Sequence, residues 1–268
     1  MAILKEFFGF GGYTRPAEGY MSWQHLTFVS SLVAIMLALA IVLGIIYKKK
    51  SPKDKNKILI ISAILIDAFE IFLIIMLMWR GKDLTVWERK LPLFLCSIQL
   101  ITIPLAAFTR GRLKEASLDF VAIFGLIGAV LGTYFAGQNY GCYPVLSVDN
   151  VISGITHCIS GFAALYIMVS GMMSMKWKNI WITFAIIFGF GGGALIANKA
   201  LDYNYMFLRA GDGTPYTILE NLLKSFLNEG AFKIVYPACV IGMFFLLICA
   251  FYGVYNLIKA LSSRKTKA

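Results

Sequence analysis

Charged residues are scarce in this chain. Asp, Glu, Lys and Arg make up 15% of its 268 residues and hydrophobic types 59%, a balance that excludes a soluble globule and is too extended for a single membrane anchor. Histidine is scarcer, with two residues in all. Neither they nor the five cysteines show a CxxC or HExxH spacing, so no metal site and no cofactor is expected. A disulfide framework is excluded as well, because Cys96, Cys158, Cys239 and Cys249 lie inside apolar stretches and only Cys142 reads as exposed. The glycine groups Gly189-Phe190-Gly191-Gly192-Gly193 and Gly125, Gly128, Gly132 have no strand before them and no Lys-Ser/Thr after them, which excludes phosphate loops. They read as close-packing helix surfaces, with a bend expected in the first group. Signal-peptide order is missing from Met1 to Gln24. That stretch reads as an interfacial segment, residues 1–25, whose Phe7, Phe8 and Phe10 dip toward lipid headgroups. No repeat or linker divides the chain, so 1–268 reads as one transmembrane domain.

What the chain has in quantity is long apolar runs. Seven are near 26–47, 58–79, 91–108, 118–135, 151–173, 180–197 and 231–258, each about the 20 residues that a helix needs to cross a bilayer core. Lipid cannot satisfy backbone polar groups, and the alternation of barrel strands is absent, so the expected fold class is all-α: a polytopic integral membrane protein with seven transmembrane helices. The net charge of +11 does not indicate nucleic acid, because the bases sit in short connections between apolar runs. By the positive-inside rule the six lysines between Lys48 and Lys57 are cytoplasmic, which puts the N-terminus outside and the C-terminus in the cytoplasm. Arg80 to Lys90, with four bases on the outer side, dissents.

Few residues at membrane depth can do chemistry. Taken as helical, Cys96 lies five residues past Leu91, about 7 to 8 Å below the outer boundary at 1.5 Å per residue. His157, six residues past Val151, falls at a similar depth. An imidazole at that depth needs a partner or a wet cavity, and beside a thiol it makes a nucleophile–base pair; a lone membrane cysteine is otherwise a packing residue. Asp67 and Glu70 stand at i and i+3 on one helical face. They are candidates to orient His157, titrate as a coupled pair or bind a headgroup, or to make interhelical hydrogen bonds as protonated acids. Gln99, one turn past Cys96, is a candidate oxyanion donor or a helix–helix hydrogen-bonding residue. His25, Asn198, Asn204 and Tyr236 also collect in the outer half, and the tyrosines near them double as interfacial anchors. One-sided accumulation of this kind points to a site open to the outer leaflet.

At these residues the chain resembles the YwaF-like integral membrane proteins of bacteria, related to a eukaryotic transmembrane acyltransferase that makes polyunsaturated ether phospholipids. The resemblance covers most of the chain. It rests on Leu91-Pro92-Leu93-Phe94-Leu95-Cys96, on His157 and the small residues after it, on Asn198 with Asn204-Tyr205-Met206-Phe207-Leu208 and Pro215, and on Tyr236. It implies a bacterial plasma-membrane location and a Cys96–His157 catalytic pair. A more distant group of membrane lipid hydrolases uses threonine and histidine in a similar arrangement. The bacterial pattern often carries a histidine where Phe94 stands here. Two functions remain open: a lipid acyltransferase or acyl hydrolase taking phospholipid or lysophospholipid from surrounding membrane lipids, and a transporter or small-molecule-binding protein using Asp67, Glu70 and His157.

Overall fold

The computed structural model describes residues 2–265, and among them every regular element is helical. Six helices are long and apolar enough to cross a membrane, as expected of a multi-pass membrane protein. The chain divides into two compact units, 1–92 with 99–174 and 93–98 with 175–268.

The first unit begins with a short helix, Ala2–Phe8 (α1), followed by Trp23–Tyr47 (α2) and Pro52–Gly81 (α3). Serines begin both long helices, because a serine hydroxyl can accept from an orphan amide of the first turn. Ser22 accepts from the His25 amide and Ser51 from the Asp54 amide, and Pro52 takes the first helical position, where its missing N–H costs nothing. Phe7 and Phe8 pack on Leu73, Val148 and Ile152, and Phe10 meets Trp79 edge-on at 4.9 Å between centroids. Phe7, Phe8 and Phe10 are half-buried against these helices, while Tyr20 and Trp23 are exposed.

The expected third span, 91–108, is helical only over Gln99–Phe108 (α4). Ten residues rise about 15 Å, half of the roughly 30 Å core. Pro92 disfavours helical backbone at Leu91 and has no N–H to donate. The residues after it make a turn, in which the Phe94 amide donates to Ser97 Oγ and the Ile98 amide to the Phe94 carbonyl. Cys96 sits in this turn, so the helical rise used above to set its depth does not apply.

Gly111–Tyr134 (α5), Gly137–Cys142 (α6) and Val148–Val169 (α7) complete the first unit. Small residues let α5 and α7 approach closely. A Cβ at Gly125 would press on Ser160 and Ala164, and one at Gly161 on Ala129 and Met36. Lys114 Nζ donates to Asn56 Oδ1 (2.6 Å) and to the Ala106 carbonyl (2.7 Å), closing the C-terminal end of α4. Asp119, fully buried, accepts from the Ser174 amide.

In the second unit Ile180–Ala200 (α8) and Glu229–Lys265 (α10) are the long helices, with Tyr216–Lys224 (α9) between them. Thr183 Oγ1 and Tyr252 OH, 2.9 Å apart, join α8 to α10, and a Cβ at Gly191 would press on Ile241. α8 runs as one helix through its glycines, so the group serves packing at Gly191 without breaking the element. In the 93–98 segment, Phe94 lies among the rings of Tyr203, Tyr205 and Phe207, at 5.2 to 6.2 Å.

Candidate functional site

His157 projects from α7, half-buried, with Nδ1 2.6 Å from the Ser153 carbonyl oxygen one turn earlier. A carbonyl can only accept, so Nδ1 carries a proton, and in the neutral ring the lone pair is then on Nε2. Ser153 Oγ is 3.5 Å from the same nitrogen and takes a 3.4 Å hydrogen bond from Asn139 Nδ2. On its other side the ring lies over α5, where a Cβ at Gly132 would overlap Cδ2 and Nε2. The fold thus selects, for the neutral ring, the tautomer whose basic nitrogen is Nε2.

His25 is used differently. It is fully buried; Nδ1 accepts from the Met21 amide at 3.2 Å, and Nε2 donates to the Thr133 carbonyl at 3.1 Å. Its ring packs on Tyr140 at a tilt of 33°, with centroids 3.8 Å apart. Both nitrogens are committed to backbone, which makes His25 a tie between α2 and α5 with neither nitrogen left for a ligand.

The other candidates in the first unit are Gln99, Asp67 and Glu70. Gln99 is fully buried at the start of α4; its Oε1 accepts from Thr102 Oγ1 at 2.9 Å, and its Nε2 has no hydrogen-bond partner among the described residues. Two buried N–H donors left unmade are costly, so that amide is poised for an acceptor. Asp67 and Glu70 are half-buried on α3, and the interhelical hydrogen bonds that would make them structural are not among those of the described residues.

In the second unit Asn198, buried on α8, clamps the backbone of Tyr205: Oδ1 accepts from its amide at 2.5 Å and Nδ2 donates to its carbonyl at 3.0 Å. Asn204 donates to the Ala210 carbonyl and to Asp212, and accepts from the Arg209 amide. Between these clamps Asp202, Met206, Phe207 and Asp212 all have positive φ, from 47° to 55°, a conformation costing about 1 to 3 kcal/mol for each residue other than glycine. Asn198 and Asn204 therefore hold a strained loop in place. Glu220 helps, since its carboxylate accepts from the Gly211 amide and pairs with Lys224, which holds its pKa below the usual 4.5. Tyr236 is fully buried with no partner for its hydroxyl among the described residues. Cys96, half-buried, belongs to the turn whose Phe94 lies among Tyr203, Tyr205 and Phe207. His157 belongs to the first unit and Cys96 to the second.

Sequence reasoning missed the ion pair between Arg80 and Asp149. Arg80 meets both carboxylate oxygens, at 2.6 and 2.8 Å, and Nη1 also donates to Tyr13 OH at 2.9 Å. Burial and the Asp149 carboxylate raise the Tyr13 pKa well above its usual value. The available signal was a base at the end of one apolar run and an acid at the start of another. With Arg89–Asp83 at 2.7 Å, this pair matches two of the four bases of the Arg80 to Lys90 connection with acids.

Residues 20–255 match the model of the TMEM164 family. No curated protein and no solved structure matches the chain.

Proposed function

The chain belongs to the TMEM164 family, and on that premise we propose that it is a membrane lipid acyltransferase or acyl hydrolase that uses Cys96 and His157. The observation carrying this reading is the His157 tautomer: with Nδ1–H held by the Ser153 carbonyl, Nε2 is the nitrogen that can accept a thiol proton. His157 takes that proton, and the Cys96 thiolate adds to the acyl carbonyl of a phospholipid. The C–O ester bond then breaks, and the leaving lysophospholipid oxygen takes the proton back from the imidazolium. A lysophospholipid hydroxyl or water attacks the acyl-thioester, again with His157 as base, and the Cys96 thiolate leaves. The unpartnered Gln99 amide supports this scheme as an oxyanion donor. Asp67 and Glu70 serve headgroup binding, and the strained loop held by Asn198 and Asn204, with Tyr236, shapes the acyl or headgroup subsite. His25 supports the site through the fold alone.

The same proposal includes seven crossings in a bacterial plasma membrane, with the N-terminus outside and the C-terminus in the cytoplasm. The turn at 93–98 and α4 together make the third crossing. Irregular backbone at membrane depth is tolerated where it is buried in protein or lines a cavity, and such a break at Cys96 suits a reactive residue.

Cys96→Ala should abolish acyl transfer and hydrolysis of labelled phospholipid by purified, folded protein, and His157→Ala should lower both by roughly 10²- to 10⁴-fold. Incubation with lipid should leave a hydroxylamine-labile acyl group on Cys96, read by intact mass. Retained turnover in both variants rules the reading out. A second reading, a transporter or small-molecule-binding protein using Asp67, Glu70 and His157, draws on the two carboxylates, which have no interhelical hydrogen bond among the described residues. It predicts ligand-induced stabilisation that Asp67→Asn removes, with no thioester.

A further inference from the structure

We infer that Gly132 is a positioning residue for His157: the bare backbone of α5 at this point sets the plane of the imidazole, and with it the direction of the Nε2 lone pair. The inference deepens the function proposed above and rests on it for its catalytic consequence, while the seat itself stands on geometry.

The seam between α5 and α7 contains several small residues, and they do not all do the same thing. At Gly125 the space left by the missing side chain is taken by Ser160 and Ala164, and Ala129 meets Gly161. Those positions let two backbones approach, as small residues do in any membrane helix pair. At Gly132 the three atoms that a Cβ would strike are Cδ2, Nε2 and Cγ of His157, all ring atoms. The space is filled by the imidazole itself. No rotation about the ring bond clears such a methyl while keeping Nδ1 at 2.6 Å from the Ser153 carbonyl, because the overlap falls on the opposite edge of the same rigid ring.

Two supports therefore define the ring. The Ser153 carbonyl, one turn back on the same helix, selects the tautomer, and Gly132 on the neighbouring helix selects the plane. Asn139, on α6, holds the Ser153 hydroxyl that also faces Nδ1. General-base catalysis depends on the aim of the lone pair, and a displacement near 1 Å can cost up to about 100-fold in rate.

The chain has two histidines, and the fold gives them opposite tautomers, Nδ1–H at His157 and Nε2–H at His25. Protein labelled with 15N in histidine should show two ring patterns of opposite type. Gly132→Ala should disturb the His157 pattern and leave that of His25 in place, and Gly125→Ala should disturb neither. In turnover, Gly132→Ala should lower kcat roughly 10- to 100-fold with KM within about twofold, whereas Gly125→Ala should lose stability without that split. A double-mutant cycle on unfolding covers the case of a poorly folding variant. Gly132→Ala should destabilise the wild-type background and cost little in the His157→Ala background, where the ring is gone. Unchanged ring signals and kcat in Gly132→Ala, or an equal stability cost in both backgrounds, overturns the inference. Turnover retained by His157→Ala instead overturns the proposed function, and leaves the ring signals and the cycle to decide the seat.

Discussion

The two histidines meet α5 at consecutive residues, His25 at the Thr133 carbonyl and His157 over Gly132, yet they are used in opposite ways. His25 spends both nitrogens on backbone in a fully buried setting, with Tyr140 packed against its ring. His157 spends Nδ1 on its own helix and lays Cδ2 and Nε2 over Gly132 in a half-buried setting. An imidazole with both nitrogens in fixed backbone bonds cannot change protonation without breaking one of them; an imidazole tied at Nδ1–H can take a proton at Nε2 and keep its tie. Identity of the side chain and nearness to the same helix do not decide which histidine is chemical.

Removing each ring in turn tests this contrast most severely. His157→Ala should lower turnover by roughly 10²- to 10⁴-fold, the range for loss of a general base, with little change in thermal unfolding in detergent. His25→Ala should do the reverse, destabilising by about 3 kcal/mol through a cavity and two stranded backbone groups, while turnover per folded molecule persists. If the two variants exchange these phenotypes, the assignment of roles is wrong. Asp149→Asn, in the first turn of the helix that carries His157, should cost about 2 kcal/mol by leaving Arg80 poorly matched. It should barely move kcat if the His157 seat is local. Ser153→Ala keeps the carbonyl and removes only the hydroxyl at 3.5 Å, so a change in turnover of about twofold or less is expected.

The smallest effect belongs to the second unit, which holds neither histidine. Glu220 has a folded pKa below its ordinary 4.5, so it contributes stability above that value and loses it as pH falls through the folded pKa. Glu220→Gln should therefore be slightly less stable than wild type at neutral pH and converge with it in acid, as read by unfolding across pH. A pH effect on turnover near neutrality then does not come from Glu220.

Much of the architecture is legible in the residues because a membrane asks a coarse question. Long apolar runs answer it at six helices, and Ser22, Ser51 and Ser147 mark three of the starts by supplying first-turn acceptors. The stretch 91–108 misled because hydropathy measures transfer into lipid and says little about whether backbone stays helical. Pro92 was the local warning. At the site, His157, Gln99 and Asn198 could be singled out because polar groups inside apolar runs are few. Their roles could not, since a role depends on which atoms each polar group faces. Arg80 and Asp149, 69 positions apart, were hidden for the same reason.

The amino-acid sequence by itself determined a helical, multi-pass membrane chain with two histidines and few other reactive groups, because burial in lipid is a property of each segment's own composition. Only the tertiary structure decided that His25 is tied to backbone at both nitrogens, that the His157 ring fills the space over Gly132, and what balances Arg80. Those outcomes depend on atoms from different helices meeting within about 3 Å, the range at which a hydrogen bond or a steric overlap is set, and no single segment encodes that distance.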